Sequence, residues 1–170
     1  MDAFDNALNH EIAPLLAQLC ERLRSGTLDA EAQVMLQRLR EDFSAALYDH
    51  GKWLSTALFP ALYESMAGSD AVCIREMESN LREDHRSLAA QWRALEPLLG
   101  DDTRPPAEAR ALVPQVEPMA ALCSRHAAFE NDELFPMAER LLSWRAKHLD
   151  QTLALKELTP NGVVSREVVR

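Results

Sequence analysis

The segment that decides the fold is SRHAAFENDELFPMAE, residues 124–139. His126 and Glu130 are four positions apart, so on a helix their side chains lie one turn apart on the same face. An imidazole and a carboxylate in that arrangement can bind the same metal ion. The spacing therefore predicts a helix that presents two metal ligands to the interior of the protein.

A second segment, DHGKWLSTALFP at residues 49–60, has the same pattern of a histidine followed nine positions later by Phe-Pro. We call this shared pattern the repeated frame. His50 is followed four positions later by Leu54, and the dipeptide Phe-Pro follows at the same distance in both copies. Leucine cannot bind a metal. The second copy therefore predicts another inward-facing helix, but one that offers a single ligand.

Length, charge and cysteine usage limit the class of protein. A chain of 170 residues suits one domain with a substantial core. The formal net charge of -9 disfavours binding to nucleic acids and to anionic membranes. No apolar run approaches the ~20 residues needed to span a bilayer, and the N-terminus does not resemble a signal peptide. Three cysteines, odd in number and far apart, fit a reducing compartment. We therefore expect a cytoplasmic protein.

Helical periodicity covers most of the chain, whereas strand signals are few. The pattern predicts four long helices joined by short connections, at residues 1–25, 27–67, 70–98 and 106–142, with a turn-rich linker at residues 100–106. We expect an all-α fold, an antiparallel up-down four-helix bundle with a short C-terminal helical extension, over residues 1–158. Residues 159–170 are predicted to be a flexible tail. Prolines are expected to start, bend or interrupt the first and fourth helices, at Pro14, Pro114, Pro118 and Pro136.

Three histidines fall on inward faces of different helices, namely His50, His85 and His126. At about 1.5 Å of rise per residue, His50 and His85 should lie near one level, and helix curvature can bring His126 to them. Burying several neutral imidazoles without a common partner leaves donors and acceptors unsatisfied. We interpret the three as part of a metal site, whose imidazole and carboxylate ligands suit iron, zinc or manganese.

Four stretches of the chain resemble the hemerythrin-like (HHE) cation-binding family: ALNHE around His10, DHGKWLSTALFPAL around His50, LREDHRSLAAQW around His85, and RHAAFENDELFPMAERLL around His126. The resemblance covers residues 4–142 and implies a four-helix bundle around a non-haem di-iron centre. It also implies a role in binding or sensing O₂ or nitric oxide, or in iron handling. The residues that the resemblance makes terminal ligands are His10, His50, His85 and His126, with Glu130 as a bridging carboxylate.

The sequence departs from the family pattern at Leu54, where the other bridging carboxylate belongs. The ligand set for two iron ions is therefore incomplete, and we expect one or two ions, with Glu133 as a candidate substitute acid. His10 is a second departure, because on a straight helix it falls nearly opposite the apolar stripe of Leu8 and Ile12. It reaches the core only if Pro14 changes the helical phase.

The same residues also permit other functions. A metal-free helical bundle that has lost the centre and serves as an interaction or dimerisation module is the main alternative, and a homodimer is a candidate partner beside the metal ion and a diatomic gas. The chain lacks the Cys-x-x-Cys-His motif that attaches a c-type haem, which disfavours a haem protein. Hydrolase motifs are absent as well, which favours a protein that is not an enzyme.

Overall fold

The computed structural model describes residues 7–26, 29–65, 70–99 and 110–158. The predicted linker at residues 100–106 and the predicted tail at residues 159–170 lie outside these ranges. Within them, every long element is helical and no strand occurs. The prediction of an all-α four-helix bundle is therefore confirmed.

The bundle consists of four rods, each built from consecutive helical segments. The first rod is a π-helical turn, Leu8–Ile12, followed by α1, Ala13–Ser25. The second rod is α2, Ala30–Trp53, a π-helical turn, Leu54–Leu58, and α3, Phe59–Ser65. The third is α4, Asp70–Leu95, with a 3-10 turn, Glu96–Leu99. The fourth is a 3-10 turn, Arg110–Leu112, then α5, Val113–Phe129, a π-helical turn, Glu130–Leu134, and α6, Phe135–Leu158.

Standard capping residues set the connection between the first two rods. Gly26 ends α1 with a left-handed φ of 78°, a conformation that glycine adopts without a steric penalty. Asp29 begins α2, and its side chain accepts a hydrogen bond from the backbone N–H of Ala32 at 2.9 Å. Gly26 and Asp29 therefore mark where the first rod ends and the second begins.

A proline at one fixed offset accompanies each π-helical turn. The residue after each turn donates its N–H to the carbonyl five residues earlier, and these pairs are Ala13 to Leu8, Phe59 to Leu54 and Phe135 to Glu130. The next residue is a proline each time: Pro14, Pro60 and Pro136. Proline has no N–H, and its ring clashes with the carbonyl four residues earlier in a regular α-helix. A wider turn relieves this clash, so the bends predicted at Pro14 and Pro136 are local π-helical turns.

The apolar core is divided into two clusters, and the level of the histidines separates them. One cluster includes Leu47, Leu88 and Cys123. The other includes Leu54, Leu81 and Leu134. On each of these three rods, the histidine lies between a member of one cluster and a member of the other. A buried polar layer therefore interrupts an otherwise apolar interior.

None of the helices in the described ranges combines the length and the apolar character needed to cross a bilayer.

Candidate metal centre

The second, third and fourth rods each bring one histidine to the polar layer, and the fourth rod also contributes a glutamate. His50 lies in the last turn of α2, His85 in α4 and His126 in the last turn of α5, while Glu130 opens the following π-helical turn. His50, His126 and Glu130 are buried, and His85 is partly buried. One ligand atom from each of the four residues lies within 4.8 Å of all the others.

The four side chains meet through their ligand atoms. Glu130 Oε1 is 2.9 Å from Nε2 of His50 and 3.3 Å from Nε2 of His126. His126 Nε2 is also 3.1 Å from Nε2 of His85 and 3.4 Å from Nε2 of His50. The rings of His50 and His85 are neighbours, with centroids 5.1 Å apart. The predicted meeting of the three histidines is therefore confirmed.

These separations fit one shared cation better than a set of hydrogen bonds. Ligand atoms about 2.1 Å from a common ion lie about 3.0 to 3.4 Å from each other when they occupy adjacent positions. A neutral imidazole carries one N–H, so Nε2 of His126 cannot satisfy the Nε2 atoms of His85 and His50 and the carboxylate of Glu130 together. A cation among them would use a lone pair from every group. The donor set therefore fits a metal ion.

Burial and mutual contact shift the proton affinities in the cluster. Burial, and after it the neighbouring His126 and His50, lower the pKa of His85 to about 3, although the carboxylate of Glu130 acts in the opposite direction. Burial alone would raise the pKa of Glu130, but hydrogen bonds with His126 and His50 outweigh this effect and lower the pKa to about 2. At neutral pH the site thus presents a neutral imidazole and an ionised carboxylate, which are the protonation states that bind metal.

Residues around the cluster lie close to two of its rings. Nδ1 of His126 is buried and lies 3.5 Å from Asp84 Oδ2, without a hydrogen bond between them. The carboxylate of Asp84 is therefore near the ring nitrogen opposite to the one that joins the cluster. Gly51 lies beside His85, and a Cβ atom at Gly51 would come within 3.2 Å of Nδ1 of that ring. The glycine therefore leaves the space that His85 needs.

The first rod brings Asn9 to the centre and leaves His10 outside it. Asn9 is only 5% exposed, and its Nδ2 donates to Oε2 of Glu130 at 2.6 Å. His10 is exposed. The structure therefore does not bring His10 to the cluster, because the π-helical turn before Pro14 does not rotate it inward; its role as a terminal ligand stays a prediction.

Sequence reasoning missed Asn9, although its helical phase was a usable signal. At 100° per residue, Asn9 lies about 60° from the direction of the buried Ile12, inside the apolar arc. His10 lies about 160° from the same direction. The family resemblance, not the helical phase, assigns His10 as a ligand.

Leu54 occupies the position that matches Glu130 in the repeat, and it belongs to the apolar core. Its side chain is 2% exposed and packs in the cluster that includes Leu58 and Leu81. It also lines a small pocket of about 40 Å³ between the second and third rods, whose walls are formed by Gly51, Leu54, Ser55, Phe59, Glu78, Leu81, Arg82 and His85. The pocket therefore reaches His85, at the edge of the cluster of histidines and Glu130.

Two other residues near the centre do not join it. Glu133, the candidate substitute acid, is exposed, so it does not replace the carboxylate missing at Leu54. Cys123 is fully buried in the apolar core one turn before His126, and burial raises the pKa of its thiol to about 12. It is therefore a protonated, small apolar side chain at neutral pH.

Comparisons with known proteins agree with this geometry. A family model described as the hemerythrin HHE cation binding domain matches residues 6–138. The matched range contains the three clustered histidines, Glu130 and Leu54. Comparison with curated proteins and with solved structures gives no match.

Proposed function

Because the protein belongs to the hemerythrin HHE cation-binding domain family, we propose that it binds a single non-haem iron ion between His50, His85, His126 and Glu130. The observation that carries this proposal is the convergence of three Nε2 atoms and one carboxylate oxygen in a buried layer. Imidazole and carboxylate ligands suit iron, and the family relationship favours it over zinc or manganese.

Charge supports one ion rather than two. In the described part of the chain, Glu130 is the only acid in the cluster, and Leu54 takes the place of a second one. One carboxylate offsets half of the charge of a divalent ion. Two divalent ions would leave far more uncompensated charge in a low-dielectric interior, where like charges repel strongly.

We further propose that the physiological ligand is a diatomic gas, O₂ or nitric oxide. The iron, when bound, would supply open coordination positions for such a ligand. A pocket of about 40 Å³ holds only a few heavy atoms, and its walls combine the apolar side chains of Leu54, Phe59 and Leu81 with polar ones. His85 belongs both to the walls of this pocket and to the metal-ligand cluster, in which His50 and His126 are buried.

The cellular setting belongs to the same proposal. Cys20, Cys73 and Cys123 are free thiols, which supports a reducing compartment such as the cytoplasm. A homodimer stays a prediction from the sequence.

Metal content after loading tests the proposal. Protein without a histidine tag would be loaded anaerobically with Fe²⁺, desalted and analysed for metal. We expect about one iron per chain in the unchanged protein and in His10→Ala, whose altered side chain is exposed. We expect little or none in His126→Ala. Equal loading of His126→Ala and the unchanged protein would contradict the proposed ligands.

Leu54 specifically favours the alternative of a metal-free interaction module, because its packing joins the site to the apolar core. That alternative predicts no iron in the unchanged protein under any loading condition. The same metal analysis therefore separates the two functions.

A further inference from the structure

The two oxygens of Glu130 have different partners. Oε1 faces Nε2 of His50 and of His126, at 2.9 Å and 3.3 Å. Oε2 accepts a hydrogen bond from Nδ2 of Asn9 at 2.6 Å. The carboxylate therefore turns one oxygen to the histidines and the other to the first rod.

Asn9 is an unexpected residue at its position in the first rod. It is 5% exposed, and the adjacent inward positions Leu8 and Ile12 are apolar and almost fully buried. Burying an amide among apolar side chains is costly unless the amide is hydrogen-bonded. The hydrogen bond from Nδ2 of Asn9 to Glu130 offsets part of that cost.

We infer that Asn9 is a positioning residue that fixes Glu130 as a one-oxygen metal ligand and limits the centre to one ion. A carboxylate bridges two ions by giving one oxygen to each, and the amide of Asn9 binds the oxygen that a second ion would need and so competes with such an ion for it. This inference rests on the proposed function. It adds that Glu130 binds the metal through one oxygen and that Asn9 determines this.

Substitution of Asn9 tests the role directly, with Co²⁺ as a metal whose visible absorption reports its coordination. Asn9→Leu keeps a similar volume but cannot donate, and Asn9→Ser keeps a shorter donor. We expect the affinity for Co²⁺ to fall about 10-fold to 100-fold in Asn9→Leu, as is typical when a group that orients a ligand is lost, and to fall less in Asn9→Ser. The absorption of the saturated protein should change as well, because Glu130 gains freedom to bind through both oxygens.

A purely structural role for Asn9 gives a different result. It would lower the melting temperature of the metal-free variants but leave the spectrum at saturating Co²⁺ unchanged, and that outcome overturns the inference. His10→Ala is the matched control, since it alters the neighbouring exposed residue and should change neither affinity nor spectrum. Absence of Co²⁺ and Fe²⁺ binding by the unchanged protein would overturn the proposed function and this inference with it. Binding by the unchanged protein with an identical spectrum in Asn9→Leu would overturn the inference alone.

A measurement on the unchanged protein keeps the inference testable if the variants do not fold. The infrared difference spectrum between metal-loaded and metal-free protein reports the two carboxylate stretching bands. One-oxygen coordination of Glu130 predicts widely separated bands. Closely spaced bands, typical of a carboxylate that binds through both oxygens, would overturn the assignment.

Discussion

The two copies of the repeated frame have the same backbone and opposite roles. Each places a histidine one turn before a π-helical turn that ends at a Phe-Pro pair. In the fourth rod the π-helical turn begins with Glu130, which is fully buried and contacts three polar side chains. In the second rod it begins with Leu54, which is equally buried but packs among apolar side chains.

This difference separates what the backbone determines from what the side chain determines. The π-helical turn occurs with leucine or with glutamate at its start, so a metal ligand is not its cause. The proline six positions later is common to both copies, and a wider turn before it relieves the clash of its ring. The single side chain at the start of the turn then decides whether that part of the layer is a ligand or an apolar wall.

The largest effect is expected from Glu130→Leu, which makes the fourth rod equivalent to the second. It removes the only acid of the described cluster, so we predict that iron affinity falls more than about 100-fold, beyond the loss typical of groups outside the ligand shell. Competition with a chelator of known affinity measures this. Leu54→Met, a change of similar volume, is the control and should retain iron. An unchanged affinity in Glu130→Leu would mean that the two copies are functionally equivalent.

The reverse change, Leu54→Glu, makes the second rod equivalent to the fourth. In the metal-free protein a carboxyl group within the apolar cluster should lower the free energy of unfolding by about 2 kcal/mol or more. Metal should recover part of this loss, because the new acid lies one turn from His50. We therefore predict that iron raises the melting temperature more in Leu54→Glu than in the unchanged protein. An equal increase would show that position 54 does not reach the ion.

Acidification should destabilise the metal-free protein through the same residues. The pKa of His85 is about 3 in the folded state against about 6.5 when unfolded, so the unfolded state binds more protons across this window and stability falls as the pH falls through it. Glu130 acts at lower pH, because its folded pKa of about 2 contributes stability that is lost below its ordinary value of 4.5. We predict a falling melting temperature between about pH 7 and about pH 4.

His85→Gln is the control for that decline. It removes the group whose pKa differs more between the folded and unfolded states, so the melting temperature should fall less steeply in the upper part of this pH range. A melting temperature that is independent of pH over the same range in the unchanged protein would contradict the placement of His85 in the buried layer.

The smallest effect is expected at Gly51, which lies next to His50 on the leucine-containing copy of the frame. A Cβ atom there would press on the ring of His85, so Gly51→Ala should weaken iron binding by less than about 10-fold. Titration with Fe²⁺ measures the change. Ser55→Ala, also in the wall of the pocket, is the control and should bind iron as the unchanged protein does. Unchanged or tighter binding in Gly51→Ala would show that the position of the His85 ring does not depend on the space at Gly51.

Much of this arrangement could be predicted from the sequence, because long amphipathic helices have a fixed period. The inward faces of α2, α4 and α5 follow from spacing alone, and so does the proximity of His50 and His85. The approach of His126 to them required helix curvature as well. The ring approach at Gly51 could not be predicted, because it depends on how closely two rods pack. His10 lies outside the cluster, because at 100° per residue it points about 160° away from the buried Ile12.

The central claim is that one cation lies among His50, His85, His126 and Glu130. Crystals of iron-loaded protein measured on both sides of the iron absorption edge test it most directly. We predict one anomalous peak per chain, within bonding distance of the three Nε2 atoms and of Oε1 of Glu130. Two peaks bridged by Glu130, or no peak within reach of these atoms, would contradict the account.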